Sequence, residues 1–271
     1  MAKQTEKDSH YQHLEQQDSL TLLQWMNRED HTVPQTVATV LPALATLVDD
    51  VADRMLAGGR LFYLGSGTSG RLGVVDASEC PPTFGVPQGW VVGIIAGGDA
   101  AIRVAQEGAE DDRQQGWADL LAQGANPADT VLGITASGTT PYVLGAVQAA
   151  RAAGLLTASL SCCSPAAVSA LVDHPLEVVT GPEFVTGSTR LKAGTAQKLV
   201  LNMLSTTVMI RLGRVQGNRM VDMLLTNDKL VERGTRYVAE ATGLLAAAAQ
   251  ALLLQHGSVR AAVAAHYASG Q

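Results

Sequence analysis

Aromatic residues are scarce in this chain: three Phe, five Tyr and three Trp make up 4% of 271 residues. A site built on stacked rings is not expected, and no aromatic-interleaved basic stripe offers a phosphodiester backbone a footprint. Positive charge is also short, with 19 Lys and Arg against 25 Asp and Glu, giving a net charge of −6. Nucleic acid is therefore not an expected partner. Three cysteines, two of them adjacent at Cys162-Cys163, make neither a disulfide framework nor a CxxC metal pair; they fit a reducing compartment and should be buried as small apolar groups. No apolar run approaches the roughly 18 residues of a membrane span, and the polar N-terminal stretch does not read as a signal peptide. The expectation is a cytoplasmic protein without membrane contact.

What the chain does have is glycine, 27 in all, and its placement is informative. The glycines punctuate short apolar runs rather than filling a linker. Apolar residues from Val37 to Met55 recur at three- and four-residue steps and stop at Gly58-Gly59, as in an amphipathic helix. The runs Leu61–Leu64, Trp90–Ile95, Val131–Ile134, Leu155–Leu160 and Leu176–Val179 lack alternation, as strands buried on both faces should. Helix-length segments separate them at Thr68–Ala77, Ala100–Gln106, Arg113–Gln123 and Pro141–Ala153. The pattern predicts an α/β fold, a doubly wound parallel sheet of about five strands with right-handed crossovers. A long helix over Leu191–Leu212 and a purely helical tail follow, the tail broken at His256-Gly257-Ser258 with a Ser-capped restart; no second sheet is expected. The expected division is an N-terminal helical segment over 1–52, the sheet domain over 53–216 and a C-terminal helical region over 217–271.

The first candidate site is Gly65-Ser66-Gly67-Thr68-Ser69-Gly70, between the first strand and its helix. It matches GxGxxG, but no acidic residue stands about 20 positions on to hold a ribose, as a dinucleotide site needs. Its three hydroxyls beside main-chain N–H groups at a helix N-terminus suit one compact phosphate ester. Read alone, the loop is equally a capped strand-to-helix turn. A second hydroxyl loop, Ser137-Gly138-Thr139-Thr140, leaves another strand's carboxyl end and enters a helix through Pro141. Alone it reads as an N-cap followed by proline at the first helical position. Because ligands sit off the carboxyl ends of strands in open α/β sheets, the two loops together favour a phosphosugar.

Two carboxylates could then divide acid and base roles. Glu79 stands in Asp76-Ala-Ser-Glu-Cys-Pro-Pro82, where the double proline is expected to end the helix and aim the side chain. Glu110 belongs to the acidic run Glu107-Gly-Ala-Glu-Asp-Asp112, which is otherwise a solvated cap. A loop carrying Ser188 and Lys192, Thr186-Gly-Ser-Thr-Arg-Leu-Lys192, could neutralise an anion or simply cap the long helix. His174 and the cysteine pair lack metal-ligand spacing, so no metal is assigned.

The stretches Gly65–Gly73, Asp76–Phe84, Ile95-Ala-Gly-Gly98, Glu107–Asp111, Ala136–Tyr142 and Gly187–Thr206 closely resemble the N-acetylmuramic acid 6-phosphate etherase family, over about residues 18 to 265. The resemblance implies a flavodoxin-like sugar isomerase (SIS) domain and a carbon–oxygen lyase. Such an enzyme cleaves the D-lactyl ether of N-acetylmuramic acid 6-phosphate to N-acetylglucosamine 6-phosphate and D-lactate. It further implies Glu79 and Glu110 as the catalytic carboxylates, no cofactor and a homodimer. The chain departs from the family pattern at Thr139, where arginine is common, at Cys163-Ser164, and around Ser9 and Gln16. It stops at Gln271, whereas relatives usually continue through another helical stretch. Two rivals share the phosphate cradle: an aldose–ketose phosphosugar isomerase, and a non-catalytic sugar-phosphate sensor like the glucokinase regulatory protein.

Overall fold

Five parallel strands carry the fold in the computed structural model, which describes residues 4–106 and 108–269. Glu107 and Gln271 thus lie outside the described residues. The strands β1 (Leu61–Gly65), β2 (Val91–Ile95), β3 (Thr130–Thr135), β4 (Leu156–Ser161) and β5 (His174–Glu177) lie in the order β2-β1-β3-β4-β5. At the carboxyl end Gly65 is in register with Ile95 on one side and Ile134 on the other. The chain therefore leaves β1 toward one edge and returns as β3 beside it, so the sheet's switch point falls between β1 and β3.

Helices precede and connect the strands: α1 (Ser19–Asp30), α2 (Val33–Ala38), α3 (Leu41–Leu56), α4 (Gly67–Phe84), α5 (Ala100–Arg103), α6 (Gln115–Ala122), α7 (Pro141–Ala152) and α8 (Lys192–Arg211). The expected helix over 37–55 is split into α2 and α3. Pro42 has no N–H for the carbonyl one turn back, so it sits in the first turn of a new helix. β5 begins two residues earlier than the apolar run suggested. It is an edge strand, where Pro175 is tolerated, and His174 is tied to Asp50 by a 2.9 Å contact. The core joins Phe62, Leu64 and Val131 of the sheet to Tyr142, Val143, Ala146 and Val147 of α7, all fully buried.

The chain divides into two compact units, Met1–Ser78 with Val91–Ser205, and Glu79–Trp90 with Thr206–Gln271; the division falls within α4 and α8. In the second unit, the expectation of helices alone is corrected. A small antiparallel hairpin pairs β6 (Val215–Gln216) with β7 (Arg219–Met220). Its turn, Gly217-Asn218, is a strong hairpin signal flanked by strands too short to show alternation. Helices α9 (Asp228–Thr242), α10 (Ala246–His256) and α11 (Val259–Ser269) enclose a separate core of Met223, Val238, Ala249, Leu253 and Ala262. The Ser258 cap is present, its Oγ accepting from the Ala261 N–H at 3.2 Å. Among the described residues no single helix is long and apolar enough to cross a membrane.

Candidate functional site

The switch point between β1 and β3 holds a cavity of about 290 Å³. Ser66, Gly67, Thr68 and Ser69 from the first hydroxyl loop line it, with Ser137 and Thr140 from the second, and Glu110, Glu6 and Thr189. The two loops thus meet at one cavity. The tight turn from β1 into α4 depends on Gly70, because a Cβ there would lie 2.6 Å from the Gly65 carbonyl oxygen and 2.6 Å from the Ile95 side chain. That closeness presents the α4 N-terminus and its unpaired N–H groups to the cavity.

The hydroxyls are held by one another and by amide and carboxylate groups. Ser66 Oγ donates to Glu110 Oε2 at 2.7 Å, and the buried Ser69 donates to Gln197 Oε1 at 2.9 Å. Thr135 and Thr140 hydroxyls are 2.8 Å apart, and those of Ser137 and Thr139 3.1 Å. Thr140 was expected to cap α7, yet its side chain makes no cap hydrogen bond there, because the Thr135 hydroxyl engages it. Glu110 is placed from behind: its carbonyl accepts the Tyr142 N–H at 3.0 Å, fixing the acidic run against the first turn of α7.

Lys192 and Ser188 are not among the residues lining this cavity. The Lys192 ammonium is buried and donates to Glu29 Oε2 at 2.6 Å, with side-chain exposures of 5% and 20%. Burial raises the affinity of Glu29 for a proton, but the Lys192 hydrogen bond and charge and the Tyr11 hydroxyl outweigh it, so its carboxyl titrates below the ordinary range. Thr189 of the same loop does line the cavity, and the start of α8 is capped by a residue outside the loop. The Glu183 carboxylate, pushed up by burial, accepts the N–H groups of Lys192 and Ala193 at 2.8 and 2.9 Å. The three cysteines are buried and form no disulfide, and burial raises the Cys162 thiol well above the usual range. Among the described residues no three His, Cys, Asp or Glu side chains cluster as a metal site would require.

In the second unit Glu79 lines a pocket of about 260 Å³ with Thr83, Asn227, Lys229 and Arg233. The double proline does not end α4 before this point; the helix continues to Phe84 and is closed by the Gly85 N–H on the Pro81 carbonyl at 2.9 Å. Prolines are tolerated there because only the last turn loses its donors. Sequence reasoning missed the two cations that line this pocket with Glu79. Lys229 and Arg233 are four residues apart on α9, hence on one face, a spacing legible only once that helix is recognised. It also missed Glu6, whose short helical turn carries no periodic signal.

A family model described as the glucokinase regulatory protein N-terminal SIS domain matches residues 43–151. Two curated relatives are named N-acetylmuramic acid 6-phosphate etherase. The one from Christiangramia forsetii is 56% identical over 97% of this chain and 96% of its own length. The one from Streptomyces avermitilis is 56% identical over 85% of this chain and 74% of its own length. Among solved structures, a phosphoheptose isomerase from Francisella tularensis shares the fold at a TM-score of 0.56 and 20% identity, covering 72% of this chain and 100% of that one.

Proposed function

We infer the reaction from kinship and cavity together: the chain belongs to the N-acetylmuramic acid 6-phosphate etherase family, and it cleaves the D-lactyl ether of N-acetylmuramic acid 6-phosphate. The observation that carries the reading is the meeting of both hydroxyl loops with Glu110 at one cavity off β1 and β3. Main-chain N–H groups at the α4 N-terminus and the hydroxyls of Ser66, Thr68, Ser69, Ser137 and Thr140 hold the phosphate, with Thr139 supporting Ser137. Gly67 and Gly138 give the loops their turns.

In the opened sugar the C1 aldehyde acidifies the C2 proton. Glu110 removes it, and Glu79 protonates the C3 oxygen as D-lactate leaves. Water then adds across the resulting double bond, giving N-acetylglucosamine 6-phosphate. Each positioned proton transfer contributes on the order of 10²–10⁴ in rate. Lys229 and Arg233 suit an anionic leaving group beside the acid, since cations pair with carboxylates by charge-assisted hydrogen bonds.

A homodimer and a cytoplasmic location belong to the same reading. On α8, however, Val200 and Leu204 are fully buried within the chain, which leaves Met203, 39% exposed, and Ile210, 47% exposed, as the large apolar groups available to a partner. Sedimentation across a concentration series tests the dimer. Release of D-lactate from N-acetylmuramic acid 6-phosphate tests the activity. Ketose–aldose interconversion without lactate would support the isomerase instead, and binding without turnover the sensor.

A further inference from the structure

Glu6 lines the phosphosugar cavity, and nothing in the proposed reaction uses it. It is held there from both sides. On one side Thr5 is fully buried with its hydroxyl 3.5 Å from Cys163 Sγ, and Gln4 brackets the Ser164 main chain, donating to its carbonyl and accepting its N–H at 3.2 Å. On the other side Ser9 donates through Oγ to the Phe184 carbonyl at 2.7 Å and through its N–H to Thr186 Oγ1 at 2.9 Å. These anchors fasten residues 4–9 across the turn after β4 and the loop before α8. Glu6 Oε2 then lies so close to Gly187 that a Cβ on that glycine would sit 3.4 Å away. Among the described residues no group hydrogen-bonds to the Glu6 carboxylate, although hydroxyls of Ser66, Thr68, Ser137 and Thr140 line the same cavity.

A carboxylate only accepts hydrogen bonds, and so does a phosphate dianion; the two repel. A 2-acetamido sugar phosphate presents donors only on its other part, the hydroxyls and the amide N–H. We propose that Glu6 is a specificity-determining residue that accepts hydrogen bonds from these sugar donors and so fixes which end of the substrate enters the hydroxyl cradle. The inference rests on the phosphosugar reading of the cavity. Glu6 discriminates for the sugar and against a bare anion.

The test is calorimetric binding of N-acetylglucosamine 6-phosphate and of inorganic phosphate to the full chain and to Glu6→Gln. The loss of a hydrogen bond to a charged group is expected to weaken the sugar phosphate about tenfold, with inorganic phosphate unchanged or tighter. Glu6→Asp, which keeps the charge on a shorter stem, should fall between. Equal weakening of both ligands would make Glu6 a mere anchor of its segment and overturn the proposal, as would no change in either or failure of the unaltered chain to bind the sugar phosphate. Binding is read without turnover, whereas D-lactate release by the unaltered chain separately decides the etherase reading. For active enzyme, Glu6→Gln should raise KM for N-acetylmuramic acid 6-phosphate more than it lowers kcat.

Discussion

In the first unit, the cavity off β1 and β3 is lined by hydroxyls, main-chain amides and two carboxylates, with no lysine or arginine among its described lining residues. In the second, the pocket around Glu79 carries two cations, Lys229 and Arg233. The difference fits the groups that the proposed reaction assigns to each. A phosphate can be bound by neutral donors and the partial positive charge of a helix N-terminus. An ammonium group in the same cavity would pair with Glu110 and engage the carboxylate proposed as the base. Lys192, at the start of α8, is buried against Glu29. Around Glu79 the pocket is lined instead by two cations on one face of α9, which suit a carboxylate better than a neutral cradle would.

The largest effects should come from the carboxylates, and they separate the two regions most sharply. Glu110→Gln should abolish incorporation of solvent deuterium at C2 and lower D-lactate release by about 10²–10⁴. Glu79→Gln should lower lactate release by a comparable factor while C2 exchange persists. Mass spectrometry of recovered substrate reads both, and equal exchange in the Glu110→Gln variant and the unaltered chain would break the assignment.

Next in size is the contrast between a structural and a ligand-facing cation. Lys192→Met strands the Glu29 carboxylate in a mostly buried position, and removing one partner of such a pair costs on the order of 3 kcal/mol in unfolding free energy. Because the folded state holds Glu29 below the ordinary carboxylate range, the pair's contribution is complete above that range and is lost as pH falls through the lowered value. Urea midpoints of the unaltered chain should therefore drop as pH falls below the ordinary carboxylate range, and more shallowly in Lys192→Met. A variant of normal stability with weakened phosphate binding would make Lys192 a ligand group after all.

Glycine substitutions compare the rigidity of the two regions. Gly70→Ala drives a methyl into the Gly65 carbonyl and Ile95, neither of which can retreat without opening the cradle, and should cost about 1–3 kcal/mol with a matching loss of phosphate affinity. Gly234→Ala meets the end of the Leu253 side chain at 2.7 Å. A side chain can turn aside where a carbonyl cannot, so its loss should be the smaller, read as thermal midpoints of the two variants.

The parallel sheet was legible because burial on both faces writes unbroken apolar runs such as Leu61–Leu64, and because Gly70 and Pro141 mark where strands give way to helices. Ser66 and Thr140 were legible as cavity residues since strand ends of an open sheet face one crevice. The second unit was not. β6 and β7 are two residues each, too short for a pattern, and α9 is so rich in charge that its apolar stripe, Leu230 to Val238, is sparse. The partner of Lys192 was not legible because its motif gives its place in the chain but not what it meets, and Glu29 lies 163 residues away. Glu6 was silent because it reaches the cavity through contacts of Thr5 and Ser9 with distant loops.

The smallest expected effect isolates the second pocket. Arg233 offers a planar fork that matches a carboxylate in two hydrogen bonds, so it should contact the lactyl group and not the phosphate. Arg233→Met keeps the apolar stem against its neighbours, leaving thermal stability unchanged. kcat/KM for N-acetylmuramic acid 6-phosphate should fall about tenfold, the loss expected for one charge-assisted contact. Affinity for N-acetylglucosamine 6-phosphate, which lacks the lactyl carboxylate, should not move. A parallel fall in both would mean that Arg233 serves the whole sugar phosphate, and the division between a neutral cradle for phosphate and a cationic pocket for the leaving acid would then fail.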